Sequence, residues 1–221
     1  MPPSETSRHR PTLGVRLDLQ GAACATRRRR IEGFVEAIYA ETYGSRIDAH
    51  YPNLISLQDD EGVIYAAAGF RLAAAGPLFL EQYLSEPVED AVGAASGLTT
   101  PRAAMAEIGG LASNGRGATV FLFSALACHL ARQGVRVAVA TATSDLRAIF
   151  DRAGLETWRL AAATPDRLPD GGAAWGDYYK TAPAVIAGSI PHAAGPLGHF
   201  LNESTTGRSV AARLAFRSAS A

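Results

Sequence analysis

The sequence lacks the features of several well-defined protein classes. Cysteine occurs only at Cys24 and Cys128, which excludes a disulfide framework, and there is no Cys-x-x-Cys pair. The five histidines have no metal-ligand spacing, so no metal site is predicted. Basic and acidic side chains are equal in number, 21 of each, and the chain therefore has no global charge that would favour nucleic acid.

No apolar stretch is long enough to span a membrane, and the polar residues 1–12 do not resemble a signal peptide. These features predict a cytoplasmic protein with a disordered N-terminus over residues 1–12. Residues 191–221 are rich in Ser, Ala and Gly, which predicts a loosely ordered C-terminal tail. We expect the run Arg27–Arg30 to form a solvated helix face, with an anion-binding patch as the alternative.

Between these ends, over residues 13–190, apolar periodicity alternates between strand-like and helix-like segments. The predicted strands are Leu13–Leu19, Leu54–Gln58, Val63–Leu72, Ala103–Ala112, Val135–Thr143, Trp158–Ala163 and Ala184–Ile190. The predicted helices are Arg28–Tyr43, Leu78–Leu84, Val88–Ala95, Ala118–Gln133 and Asp145–Ala153, the last capped by Ser144. The pattern predicts a single α/β (α+β) domain with a central mixed β-sheet flanked by helices.

Glu107 is the only charged residue in the apolar strand Ala103–Ala112. A carboxylate in such a strand loses solvation unless it is paired or used in chemistry. The glycine loop that follows, 113–117, opens a long helix whose N-terminus favours anions. A candidate base beside such a loop suits an enzyme with a phosphorylated or pantetheine-bearing donor. The alternative is a structural glutamate paired with a neighbouring arginine.

The segment Thr99–Leu155 resembles the GNAT acyltransferase superfamily in its order of strand, glycine loop, helix, strand and helix. The resemblance implies a GNAT-like domain whose sheet splays near Gly109 and Gly110. The superfamily's phosphate loop, Arg/Gln-x-x-Gly-x-Gly/Ala, is matched in its glycines but has Ala112 at the first position. Phe150 stands where the superfamily often has a general-acid tyrosine.

A second resemblance covers residues 28–188. It rests on Phe-Leu-Glu-Gln-Tyr-Leu at 79–84, Trp-Gly-Asp-Tyr-Tyr at 175–179 and Arg-Ile-Glu-Gly-Phe at 30–34, which are similar to segments of the thermostable hemolysin family. The family name implies membrane lysis, although no amphipathic basic helix or secretion signal is visible. A membrane-active protein and a non-catalytic acyl- or pantetheine-binding module are therefore the alternatives to an acyltransferase.

A third resemblance is to the acyl-homoserine-lactone synthases, a GNAT-like group that uses acyl-carrier-protein donors. It rests on Gly-Phe-Arg-Leu at 69–72 and on Glu-Ile-Gly-Gly at 107–110. It implies that Glu107 deprotonates an attacking amine, directly or through water. It also implies that backbone N–H groups of Gly109, Gly110 and Leu111 hold the thioester oxygen.

The predicted co-substrate is an acyl-phosphopantetheine thioester, carried by acyl carrier protein or CoA, and the predicted acceptor is a small amine or amino acid. A carrier protein is favoured over free CoA because Ala112 replaces the expected Arg or Gln. The predicted donor-binding residues at the loop are Gly115, Arg116, Gly117 and Ala118.

Three further residues complete the predicted catalytic set. Arg71 could bind an acceptor carboxylate or pair with Glu81 or Glu107. Glu81 is predicted to be either a second acid or a buried partner for Arg71. Tyr178 belongs to an aromatic cluster that either forms a lid over the core or supplies the acid missing at Phe150.

Overall fold

The computed structural model describes residues 13–18, 24–191 and 210–212, and its framework is an eight-stranded mixed sheet. The strands are β1 (Leu13–Asp18), β2 (Asn53–Asp59), β3 (Ile64–Leu72), β4 (Met105–Ser113), β5 (Val137–Ala142), β6 (Thr157–Ala162), β7 (Ala184–Ser189) and β8 (Val210–Ala212). Their order is β6-β7-β5-β4-β3-β2-β1-β8. The pair β4–β5 is parallel and the other pairs are antiparallel, so the predicted mixed sheet is confirmed.

Within the described residues, four α-helices and five short 3₁₀ segments connect the strands. The α-helices are α1 (Ala25–Tyr43), α2 (Val88–Ser96), α3 (Arg116–Arg132) and α4 (Ser144–Arg152). The 3₁₀ segments are Ala73–Ala75, Phe79–Tyr83, Arg102–Ala104, Pro165–Arg167 and Ala173–Thr181. The predicted cap of α4 was one residue too late, because the Thr143 hydroxyl accepts the N–H of Leu146 at 3.2 Å while Ser144 already lies within the helix.

The helices cover both faces of the sheet, which explains why the central strands are apolar on both sides. α3 and α4 pack on one face, where Phe121, Leu122 and Phe150 are buried. α1, α2 and the 3₁₀ segment Phe79–Tyr83 pack on the other face. Glu107 and Gly109 of β4 project towards this second face, and Ile108 projects towards the first.

The sheet opens between β4 and β5. Their pairing ends at Ile108 and Ala140, after which β4 continues beside β3 and β5 continues beside β7. Opposite Ala68 of β3, β4 contains two residues, Gly110 and Leu111, which form a bulge. Gly110 adopts φ 57°, a left-handed conformation that glycine takes without strain. The predicted splay at Gly109 and Gly110 is therefore confirmed.

The predictions for the two chain ends fall largely outside the described residues. Residues 1–12 belong to that part, and so do residues 192–209 and 213–221 of the predicted tail. Within the tail, β8 pairs antiparallel with β1 and extends the sheet.

Candidate active site

The gap between β4 and β5 forms a cleft with a volume of about 70 Å³. Gly109, Gly110 and Leu111 line it on the β4 side. The other lining residues come from α1, α3, β5, α4 with its N-cap, and the aromatic 3₁₀ segment Ala173–Thr181. They include Tyr39, Tyr43, Thr141, Thr143, Leu146 and Tyr178. The cleft thus combines a bulged backbone with phenol and threonine hydroxyls.

A larger apolar pocket of about 300 Å³ adjoins this cleft. It lies between α3 and α4, above β5 and β7, and it shares Ile108, Phe123 and Ala140 with the cleft. The rings of Phe123 and Phe150 meet edge to face at 5.0 Å in its wall. Phe150 has no proton to donate and contributes an apolar surface at the position where the superfamily often has tyrosine.

Small side chains on neighbouring strands create this apolar pocket. Ala138 and Ala140 of β5 and Gly188 of β7 lie on its floor. Ala138 and Gly188 are directly opposite each other in the strand register. Sequence reasoning missed the pocket, although small residues at alternate positions of β5 were a visible signal for it.

Glu107 is almost fully buried, with 1% of its surface exposed. Its two carboxylate oxygens accept the backbone N–H groups of Phe79 at 3.0 Å and Leu80 at 2.9 Å. Burial raises the pKa of Glu107, while those two N–H groups, the charge of Arg71 and the Tyr51 hydroxyl act in the opposite direction. A carboxylate with a raised pKa is a better proton acceptor than an exposed one.

Tyr51, which sequence reasoning did not single out, lies across two glycines on adjacent strands. Gly69 of β3 and Gly109 of β4 are directly opposite each other, and a Cβ on either would collide with the Tyr51 side chain. Arg28 fixes the backbone here by donating to the carbonyls of Tyr51 at 2.6 Å and Pro52 at 2.8 Å. The paired glycines are the sequence signal for this close approach.

Three of the four residues in the run Arg27–Arg30 are exposed, as predicted for a solvated face, and Arg28 is the half-buried exception. Besides its bonds to the loop before β2, Arg28 forms an ion pair with Glu32 at 2.8 Å. Arg30 donates to the carbonyl of Gly62 at 2.8 Å. Within α1, therefore, at least these two guanidinium groups have structural partners.

The predicted pairing of Glu81 with Arg71 is wrong. Glu81 pairs with Arg102, whose guanidinium donates to it at 2.8 Å and also contacts Glu89 at 3.1 Å. The Arg102 bond lowers the pKa of Glu81 to about 2, so this carboxylate is ionised at neutral pH and has no proton to donate. Its other bonds, from Leu78 N–H and from Val88 N–H, connect the 3₁₀ segment to α2.

Arg71 stands opposite Glu107 in the register of β3 and β4. Its guanidinium donates to the Pro77 carbonyl at 2.9 Å and lies 6.0 Å from the centre of the Tyr51 ring. The structure thus brings Arg71, Tyr51 and Glu107 together. Glu81, in contrast, belongs to a neighbouring ion-pair cluster with Arg102.

Tyr178 lies in the cleft wall within a cluster of aromatic rings. Its hydroxyl donates to the Thr141 carbonyl at 3.3 Å, and its ring stacks on Tyr39 with centres 6.4 Å apart. Burial, and then the neighbouring phenols, raise the pKa of Tyr178 well above its ordinary value. The segment reaches this position because Gly176 packs against the end of α1 with φ 53°, where a Cβ would collide with the Tyr43 carbonyl.

The predicted donor-binding loop is at the start of α3. Gly115 and Gly117 are exposed and Ala118 is buried, while Arg116 is the first residue of the helix. The Ser113 hydroxyl bonds the carbonyl of Gly115 at 2.7 Å and its N–H at 3.2 Å. Gly115 has extended backbone, and a Cβ there would meet no described atom within 4 Å. Neither conformation nor packing therefore requires glycine at this position.

A family model described as thermostable hemolysin matches residues 22–194. The chain belongs to this family. The matched region of this thermostable hemolysin relative contains the whole cleft and the aromatic segment. A comparison with curated protein sequences gives no significant match.

Solved structures with the same fold include those of TofI, LasI and FeeM. TofI in a ternary complex with an inhibitor and MTA has a TM-score of 0.59 at 14% identity, covering 83% of this chain and 96% of TofI. The AHL synthase LasI gives 0.57 at 14% identity, covering 82% and 91%. FeeM, an N-acyl amino acid synthase from uncultured soil microbes, gives 0.56 at 15% identity, covering 83% and 94%. The likeness to these three structures shows that this chain has the GNAT-like fold.

The family name suggests membrane-active elements. Across residues 24–191, no helix combines the length and apolarity needed to cross a bilayer. In the same described part, the large apolar side chains that are exposed are Val63 and Leu98, at 50% and 36%. Neither belongs to a helix.

Proposed function

We propose that this thermostable hemolysin-family protein is an acyltransferase. It moves an acyl group from a phosphopantetheine thioester to a small amine or amino acid, in the biosynthesis of a signal or specialised metabolite. The observation that carries this proposal is the apolar pocket of about 300 Å³ that adjoins the cleft at the β4–β5 gap. The volume is at the lower end of the range of small-ligand sites, which is ~300–1,000 Å³.

The apolar pocket is suited to the acyl chain of the donor. Its walls are formed mainly by aliphatic and aromatic side chains, and it meets the cleft at Ile108, Phe123 and Ala140. An acyl chain in the pocket would place its thioester carbon at the bulge of β4. Each methylene buried there contributes about 0.8 kcal/mol of binding free energy.

The reaction is an aminolysis of the thioester. Glu107 accepts the proton of the attacking amine, and its raised pKa suits that role. Backbone N–H groups of the bulge, at Gly109, Gly110 and Leu111, stabilise the oxyanion that forms. Tyr178 faces the cleft as a neutral phenol and donates a hydrogen bond or proton on the leaving-group side. The guanidinium of Arg71 binds the carboxylate of an amino-acid acceptor.

The loop at the start of α3 holds the phosphate of phosphopantetheine. The exposed backbone around Gly117 and the N-terminus of a seventeen-residue helix favour an anion beside Gly115. A phosphate group can approach Gly115 closely, because no described atom lies within 4 Å of the place that a Cβ would take there. With Ala112 in the place of the usual Arg or Gln, we favour an acyl carrier protein over free CoA as the donor.

Incubation of the purified protein with acyl-carrier-protein and acyl-CoA donors tests the proposal. With a panel of amines and amino acids present, free thiol should be released and mass spectrometry should detect an N-acyl product. Turnover of carrier-protein thioesters at lower donor concentration than CoA thioesters would support the preferred donor. Failure of every thioester donor in the presence of the full acceptor panel would contradict the acyltransferase proposal.

One observation favours a second candidate, a non-catalytic acyl- or pantetheine-binding module. Both carboxylate oxygens of Glu107 already accept backbone N–H groups, which is what a structural carboxylate does. Such a module would bind acyl-phosphopantetheine without releasing thiol. Isothermal titration with a non-hydrolysable acyl-pantetheine analogue, together with the turnover assay, separates binding from catalysis.

A further inference from the structure

The position of Glu107 leaves a gap in the aminolysis mechanism. None of the described residues that line the cleft is a carboxylate. Glu107 is 1% exposed, and the N–H groups of Phe79 and Leu80 occupy both of its oxygens. A base buried in this way needs an intermediary to receive a proton from an amine in the cleft.

Tyr51 is not itself a lining residue, but it packs directly behind one of them. Its ring covers Gly109 of the cleft wall, and a Cβ on Gly109 would collide with the Tyr51 hydroxyl and would lie only 2.7 Å from Cζ. Gly109 follows Glu107 by two positions on β4, so both project towards the same face. The Tyr51 hydroxyl is also near enough to the Glu107 carboxylate to lower the pKa of that carboxylate, against the effect of burial.

The chain fixes this tyrosine from three sides. Arg28 of α1 holds the backbone carbonyls of Tyr51 and Pro52. Gly69 and Gly109 provide the flat surface on which the ring lies, and a side chain at either would displace it. The Arg71 guanidinium lies 6.0 Å from the ring centre. An ordinary core tyrosine does not require two facing glycines and a buried carboxylate beside its hydroxyl.

We propose that Tyr51 is a catalytic residue that relays the acceptor's proton to Glu107, an inference that rests on the proposed acyltransferase function. As the amine nitrogen bonds to the thioester carbon, its proton passes to Tyr51 Oη. The proton of Tyr51 passes at the same time to the Glu107 carboxylate. The C–S bond then breaks and the thiolate leaves, and Glu107 returns its proton through Tyr51 to solvent or to that thiolate.

Neighbouring side chains influence the protonation of Tyr51 and Glu107, the two groups of the relay. Arg71 from β3 favours ionised Glu107. Tyr39 from α1 interacts with Tyr51, and Tyr83 from the 3₁₀ segment interacts with Glu107. Burial raises the pKa of both phenols, as it does for Tyr51, so all three are neutral donors at working pH. Among these groups, the Glu107 carboxylate is therefore the one that can accept a proton at the end of the relay.

The test uses Tyr51→Phe in the full chain with a donor and amine that the wild type turns over. The phenylalanine ring keeps the contacts with Gly69 and Gly109 and removes only the hydroxyl. We expect kcat to fall on the order of a hundredfold at neutral pH. The defect should shrink as pH rises, because hydroxide can then accept the amine proton in place of the relay. Glu107→Gln should behave alike, and the double variant should lose no more than either single variant.

The matched control is Tyr65→Phe, which removes a hydroxyl that donates to Asp59 at 3.1 Å, away from the cleft. It should leave kcat unchanged. If the wild type releases thiol and Tyr51→Phe keeps its kcat within twofold, or if its defect is independent of pH, the relay is overturned while the acyltransferase stands. If the wild type turns over no thioester, the proposed function itself fails.

A second measurement covers the case in which Tyr51→Phe does not fold, as judged by circular dichroism. The relay moves two protons in one step, so kcat/KM of the wild type should fall along a curve as the fraction of D₂O rises. A straight line would show a single transferred proton and would overturn the relay.

Discussion

Filling the apolar pocket should shorten the acyl chain that the protein transfers. Ala138 of β5 lies on the floor of the pocket, opposite Gly188 of β7. Ala138→Leu adds three carbons to that space. If each displaced methylene is worth about 0.8 kcal/mol, the loss for a pocket-filling donor is about 2.4 kcal/mol, or roughly sixtyfold in kcat/KM. Acetyl transfer should change little, since an acetyl group stops at the cleft.

The assay measures kcat/KM for acetyl, butyryl, hexanoyl, octanoyl and decanoyl thioesters with the wild type and the variant. Ala131→Leu is the control, because it adds the same carbons at an exposed position near the end of α3. The melting temperature of Ala138→Leu should remain close to that of the wild type, since the side chain enters empty space. Identical dependence on chain length in Ala138→Leu and wild type would refute the assignment of the acyl chain to this pocket.

Three further predictions concern the cleft and its support. Glu107→Gln should lower kcat on the order of a hundredfold. It should also lower the unfolding free energy by roughly 1–3 kcal/mol, because one backbone N–H loses its acceptor. Early melting with normal acylation would refute the role of Glu107 as the base. Gly109→Ala should displace Tyr51, with which a Cβ would collide, and so lower kcat in steady-state assays while Gly115→Ala folds normally. The Glu81–Arg102 pair should lose its stabilising effect as pH falls from 4.5, the ordinary pKa of the carboxyl, to about 2, its pKa in the folded protein. Denaturant unfolding at several pH values measures this loss of unfolding free energy. The loss should be smaller in Arg102→Met, which lacks the pair.

The fold was largely predictable because it follows from local periodicity. Alternation in β1, the continuous apolar run of β5 and the long apolar α3 each indicated an element close to its observed bounds. The splay was predicted from the position of Gly109 and Gly110 in the resembling superfamily. The geometry shows why glycine is needed there: one accommodates a positive φ at the bulge, and the other accommodates the ring of Tyr51.

The partners of charged side chains were not predictable in the same way. Arg71 and Arg102 are both basic residues close in space to acids, and only the tertiary structure shows that Arg102 takes Glu81. Tyr51 lies in a segment without predicted secondary structure, so no periodic pattern pointed to it. The apolar pocket lies between two helices and the sheet. A cavity of this kind is indicated in the sequence only indirectly, in this case by the small residues Ala138 and Ala140.

The two roles open to Glu107, structural and catalytic, depend on one another in this geometry. Its carboxylate orders the turn at Phe79 and Leu80 by accepting their N–H groups, and this contact helps to bury it. Burial in turn raises its pKa, which improves it as a base. The same burial removes it from direct contact with an acceptor, so a base in this position requires a neighbour such as Tyr51. A variant that restores stability without restoring turnover would therefore separate the two roles, whereas stability measurements alone would not.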